Sequence, residues 1–147
     1  MAIINNKVKA FKDDRNENVF IGIDLPFQKS DKNDGWFKST TTTFEAITNN
    51  VKSLLNTQKG ERLMQPSLGL NLKKYLFEPL DDNLIIAVEN DILNTFEFWL
   101  PFVIVKDIQV KQGDDSDIGR NTLKISVSFT IRKNENYFET VSVTIGE

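Results

Sequence analysis

The stretch 98-FWLPFVIVKDIQV-110 contains the switch on which the fold turns, because Pro101 separates two hydrophobic periods. Before it, Ile85, Val88, Ile92, Phe96 and Trp99 recur at the spacing of one helix face, and Leu84, Leu93 and Leu100 widen that stripe. The pattern predicts a helix that opens near Asp81 or Asp82, whose carboxylates suit the free N–H groups and positive dipole end of a first turn. Pro101 ends it, and 103-VIVKDIQV-110 is β-branched. The period of two then becomes explicit. In 122-TLKISVSFTIR-132, Leu123, Ile125, Val127, Phe129 and Ile131 alternate with Lys, Ser and Thr. In 137-YFETVSVTI-145, Val141, Val143 and Ile145 point inward, Ser142 and Thr144 fall between them, and Glu139 is outward or at the rim. The residues 133-KNEN-136 join these two strands as a turn, and the polar run 111-KQGDDSDIGRN-121 is a surface loop.

Upstream, Thr42 and Glu45 have capping-box spacing, and Phe44, Ile47, Val51, Leu54 and Leu55 share a helical face, which predicts a helix over 43–56. These elements compose an α+β domain over 41–147: two main helices packed on a three-stranded antiparallel sheet. Residues 1–40 read as an extended N-terminal arm, with one short strand in 19-VFIGIDLPF-27 stopped at Pro26 and able to add to the sheet. Trp36 and Phe37 sit among turn formers and either fold back onto the core, the commoner fate, or contact a partner. Between the helices lies 57-TQKGERLMQPSLG-69. Here Gly60 is a helix terminator, 61-ERLMQ-65 a brief extended piece, and Leu68, Leu72, Tyr75 and Leu76 mark a short helix closed by Glu78-Pro79.

With 39% hydrophobic and 27% charged residues and a mean hydropathy of -0.32, the 147-residue chain has the profile of a globular domain. No apolar run reaches the ~18 residues of a spanning helix, and 1-MAIINNKVKAFKDD-14 lacks the apolar core of a signal peptide. The absence of Cys and His removes the usual zinc ligands, thiol nucleophiles and His-based proton transfer. A net charge of -3 and a pI near 5.1 lack the basic surplus of a nucleic-acid binder.

Paired carboxylates are the catalytic equipment that remains, with Glu61, Glu78, Asp81, Asp82 and Glu97 as candidates. Each has a simpler role as helix cap, turn brace or solvated face. The run 114-DDSDIG-119 is similar to part of a calcium loop, but the twelfth position from Asp115 is Ser126 and cannot supply the closing glutamate. There is no phosphate-binding glycine motif. No cofactor and no metal are therefore expected. What remains is binding surface. The outer edge of the last strand either lies under another element or offers a template to a strand of another chain. The apolar junction Trp99, Leu100, Pro101, Phe102 is either core or a docking site.

Taken in order, a helix, then Lys59-Gly60-Glu61-Arg62, Pro66, Gly69, Leu72 and Leu76-Phe77-Glu78, then a long helix, a proline and a strand resemble the baseplate wedge and tail-sheath initiator family of contractile-tailed bacteriophages. That family has relatives in type VI secretion baseplates. The resemblance covers about residues 40–110 in motif and 110–145 in strand order. It implies a non-enzymatic structural subunit of the virion's tail baseplate, present in several copies around the tail tube and assembled in the host cytoplasm. The implied partners are other wedge subunits and the tail sheath protein, with the tube as a candidate neighbour, and neither nucleic acid nor membrane. It further implies sheath initiation by strand augmentation at Glu139, Val141, Ser142, Val143, Thr144 and Ile145. Many members dock onto the wedge bundle through Glu-Pro-Arg; here Leu100-Pro101-Phe102 keeps only the proline, which makes the expected dock, with Trp99, hydrophobic. Glu61 and Arg62 brace the turn or face a wedge neighbour. The family's historical link to lysozyme supplies the alternative expectation, a cell-wall hydrolase acting through paired carboxylates such as Glu78.

Overall fold

The structure, a computed structural model, describes residues 19–30, 35–79, 81–112 and 122–146, with the backbone alone at 112 and 134–137. The first eighteen residues of the expected arm and the calcium-like loop at 114–119 lie outside the described residues. By compactness the chain divides after Asn50.

In the first unit, β1 (Gly22–Ile23) pairs antiparallel with β2 (Ser39–Thr40), Gly22 opposite Thr40 and Ile23 opposite Ser39. The arm's strand thus forms its own two-stranded sheet and does not add to the larger one. Hydrogen bonds from Ile21 to Thr40, Asp24 to Lys38 and Lys38 to Gln28 extend the pairing past Pro26, and Lys29 bridges Phe37. A small polar cluster secures this hairpin. Asp24 accepts from the Leu25 amide and from Asn49 Nδ2, and pairs with Lys38 at 2.8 Å. Asn49 Nδ2 also reaches the Ile23 carbonyl. Asn49 lies on helix α1 (Thr43–Asn56), whose bounds match the capping-box reading. Thr42 Oγ1 accepts from the Glu45 amide at 3.2 Å, and Glu45 reaches back to the Thr41 amide, one residue before the usual target.

The second unit takes in the last turns of α1, where Val51, Leu54 and Leu55 are buried. Next come a 3-10 helix (Leu72–Phe77), α2 (Asp82–Trp99) and a three-stranded antiparallel sheet of β3 (Val103–Gln112), β4 (Leu123–Ile131) and β5 (Asn134–Ile145), in the order β3-β4-β5. Asp81 is the N-cap of α2, its carboxylate accepting from the Leu84 amide at 2.7 Å. The buried face of α2 is Leu84, Val88, Ile92, Thr95 and Phe96. Leu93, expected in the apolar stripe, is exposed, as are Ile86 and Phe98, because a helix against one layer buries a narrower arc than its apolar residues span. Beneath α2 the inner sheet face consists of Leu123, Ile125, Val127, Phe129, Ile131, Val141 and Val143, all buried.

β3 shows how the chain reconciles its own pattern. Val103 and Val105 share one parity, Ile108 and Val110 the other, and a regular strand would turn one pair outward. The register shifts between Val105 and Asp107, so Val105 pairs with Phe129 and Ile108 with Val127, which keeps all four on the core side. The α2–β3 corner is equally tight. The Leu100 amide donates to Phe96, Val103 to Leu100, and Arg132 to Phe102. Only Arg132 and Lys133 separate β4 from β5, so the turn is shorter than 133–136 and β5 begins at Asn134.

Candidate functional site

Three features of the second unit present groups to solvent in an ordered frame. The first is the turn after α1. Its two ends are drawn together: the Leu70 amide donates to the Thr57 carbonyl at 2.9 Å, and Gln58 and Leu70 form a parallel bridge. Inside, the Gly60 amide donates to Pro66, Gln65 to Arg62 and Leu68 to Gln65. A short loop with paired ends and internal bonds is a compact Ω-type loop, and it replaces the extended piece expected at 61–65. Gly60 lies four residues beyond the helix end and works inside this loop at φ +90°.

Glu61 accepts from the Gln58 amide at 3.0 Å within the loop, and Arg62 reaches Ser53 Oγ at 3.3 Å, tying the loop back to α1. At its tip Leu63 and Met64 are 96% and 94% exposed. Reading the sequence passed over these two residues. The signal was an apolar pair inside an otherwise polar turn, where no helical or strand period assigns it a buried face.

The second feature is the α2–β3 corner. Leu100 is 7% exposed and belongs to the core, whereas Phe98 and Phe102 are exposed, with Pro101 beside them. Trp99 is half-buried and meets Phe98 edge to face at 5.0 Å. The outward apolar surface is thus Phe98, Pro101 and Phe102, with Leu100 as the support beneath.

The third is the edge of the sheet. Both β3 and β5 are terminal in the strand order, yet they differ. β3 carries its bulge in mid-strand together with Lys106, Asp107 and Lys111, features that discourage edge pairing. β5 pairs with β4 without interruption from Phe138–Thr130 to Ile145–Leu123. Within its unit, no backbone hydrogen bond joins 140–145 to any described element except β4. Val141 and Val143 are buried, Ile145 and Glu139 half-buried, and Thr140, Ser142 and Thr144 exposed. The hydroxyls pair across the outer face, Ser126 with Ser142 at 2.9 Å and Ser128 with Thr140 at 2.8 Å. Beside the end of β5 opens a cleft of about 210 Å³ lined by Leu55, Leu70, Leu72, Lys73, Val143 and Ile145 among others. In the first unit, Phe27, Trp36 and Phe37 are exposed, with the Phe27 and Phe37 rings 5.6 Å apart.

Two of the candidate carboxylates, and Asp91 with them, do structural work. Asp81 caps α2 and Glu61 braces the loop. Asp91 accepts from Tyr75 Oη at 2.7 Å and pairs with Lys74 at 2.9 Å, pinning the 3-10 helix to α2. Burial pushes the Asp91 carboxyl up, but the hydrogen bonds from Tyr75 and Lys74 outweigh it and hold the group below its ordinary range. Glu78, Asp82 and Glu97 are exposed. Among the described residues no cluster of Asp and Glu could hold a metal ion, and no helix is long and apolar enough to cross a membrane.

Residues 42–136, roughly two-thirds of the chain, match the family described as baseplate wedge protein gp25. Among solved structures, the chain is similar to a putative tail lysozyme from Geobacter sulfurreducens at 17% identity and a TM-score of 0.60, over 72% of this chain and 92% of that one. It is also similar to a chain of the baseplate of the anti-feeding prophage at 23% identity and a TM-score of 0.61, over 75% and 83%. At these identities the likeness is one of fold. No curated protein sequence matches the chain.

Proposed function

The chain belongs to the baseplate wedge protein gp25 family and is a structural component of a contractile-tail baseplate, and from that premise we propose that it initiates the tail sheath by accepting a sheath strand on the open edge of β5. The carrying observation is the eight-residue uninterrupted register of β5 from Phe138 to Ile145 at the end of the sheet. An exposed edge of that length satisfies an incoming strand's backbone groups one for one, and alternating side chains then set specificity. The bulged, charged β3 is the protected edge.

The same reading assigns wedge docking to the α2–β3 corner through Trp99, Pro101 and Phe102 with Phe98, Leu100 holding the corner from below. The clasped loop joins it as a second wedge contact: Glu61 and Arg62 hold the shape, and Leu63 and Met64 make the contact. An apolar pair held out by its own loop loses little conformational freedom on binding. The protein acts by assembly and not by catalysis. Its partners are wedge subunits and the sheath protein, with the tube as a neighbour.

Amide hydrogen exchange with and without the sheath subunit of the same particle tests the edge. Alternate amides of 138–145 become protected in the complex, while those of β3 do not change. Protection confined to β3, or a complex that leaves β5 exchange unaltered, overturns the assignment.

A further inference from the structure

The end of β5 carries more information than an open backbone edge. We infer that the cleft beside it is the anchor site for the added strand, and that the strand it selects carries two large aliphatic residues along the cleft with a carboxylate between them; this rests on the edge reading of β5. The cleft's apolar wall comes from Leu55, Leu70 and Leu72 on one side and Val143 and Ile145 on the other. Val143 and Ile145 are on the inner face of the same strand that offers the edge. A strand laid along β5 therefore places its residues opposite Val143 and Ile145 on that face, against this wall. At about 210 Å³ the space exceeds the ~150 Å³ of an apolar cavity that holds benzene, so Leu, Ile or Met fits and Ala leaves it unfilled.

The neighbouring position is opposite Thr144, and its surroundings are cationic. Lys73 lines the cleft together with Thr144. On the outer face Lys111 stands opposite Lys124, and Lys124 opposite Thr144, so a row of two like charges runs across the sheet and stops at the open edge. Directly opposed like charges are unfavourable, and none of the three lysines has an ion pair among the described residues. A carboxylate opposite Thr144 extends the row with the opposite sign and approaches Lys73. The selected strand thus reads aliphatic, acidic, aliphatic, the two outer residues over Val143 and Ile145.

The probe is a synthetic octapeptide alternating Thr with Val, carrying Leu-Glu-Leu at its centre, with binding followed by fluorescence anisotropy and β5 amide exchange. Replacing both Leu by Ala weakens binding roughly tenfold or more, as expected for lost apolar burial. Gln58→Trp, at an exposed rim position, fills the cleft mouth and reduces the Leu peptide to the affinity of the Ala peptide. The double variant Lys73→Glu/Lys124→Glu prefers a central Lys over Glu. If the parent peptide binds and protects β5 but the Leu-to-Ala and charge exchanges change nothing, the anchor is overturned and the edge reading stands. If the parent peptide does not bind at its solubility limit, the edge reading itself fails, and the anchor with it.

Discussion

Gly69 sits at φ +107°, and a Cβ built there would collide with the Thr57 carbonyl. The two constraints are separate, since the left-handed backbone alone costs an L-residue about 1–2 kcal/mol and backbone overlap adds to it. Gly69→Ala is therefore expected to lower unfolding free energy by about 3 kcal/mol or more in urea titration. Gly60→Ala, also at positive φ but with open space around it, loses only about 1 kcal/mol. Asp91 belongs to the same scale. Its carboxyl is depressed in the folded state, so its contribution is complete above the unfolded value and is lost as pH falls through the lower folded value, that is, at and below the ordinary 3.8. Asp24 is depressed by hydrogen bonds from Lys38 and Asn49 and acts with the same sign. Asp91→Asn is expected to be less stable than the parent at neutral pH and to show a shallower decline as pH falls below the ordinary 3.8 in acid titrations of stability. An unchanged acid limb would show that the Tyr75–Asp91–Lys74 cluster does not couple to folding. Glycines were legible in the sequence as turn formers; that Gly69 faces a carbonyl twelve residues back was not, because close approach arises only when the loop shuts.

At the scale of elements, the corner between α2 and β3 separates support from surface. Leu100 is in the core and its loss would damage the fold, whereas Phe98 and Phe102 face outward. The double variant Phe98→Ser/Phe102→Ser is expected to keep its melting profile, since exposed substitutions usually stay within about 0.5 kcal/mol, and to lose wedge incorporation in a pull-down. Full incorporation would remove the corner from the docking surface. Both main helices and the last two strands were legible from period, because each buries one continuous face, and β3 from its β-branched composition. The bulge in β3 left a trace in the parity change from Val105 to Ile108, but only pairing with Phe129 and Val127 shows that the chain bulges where it could have twisted away. The exposure of Leu93 and Trp36 left no trace, since an apolar residue carries no mark of which neighbour will cover it, whereas Leu63 and Met64 were marked only as an apolar pair in a polar turn.

For the molecule as a whole, the decisive observation is an image of tails assembled without it. Full-length tubes on baseplates that lack sheath are expected if β5 starts polymerisation, whereas failed wedges would assign the protein to baseplate assembly alone. Purified protein is expected to leave cell walls intact; degradation abolished by Glu78→Gln would reverse the non-enzymatic reading. Composition had already narrowed this choice, because a chain without Cys or His has few ways to activate a nucleophile or hold zinc. By itself the sequence determined the α+β class, the element order, the boundaries of α1 and the family, since each depends on local period, capping chemistry or motif spacing. Tertiary structure alone decided which strands end the sheet and which of them is bulged, that Leu63 and Met64 project from a clasped loop, and that a cleft stands beside β5. Those are relations between segments distant in the chain, and they exist only once loop closure and strand pairing have chosen which backbone groups and apolar faces meet.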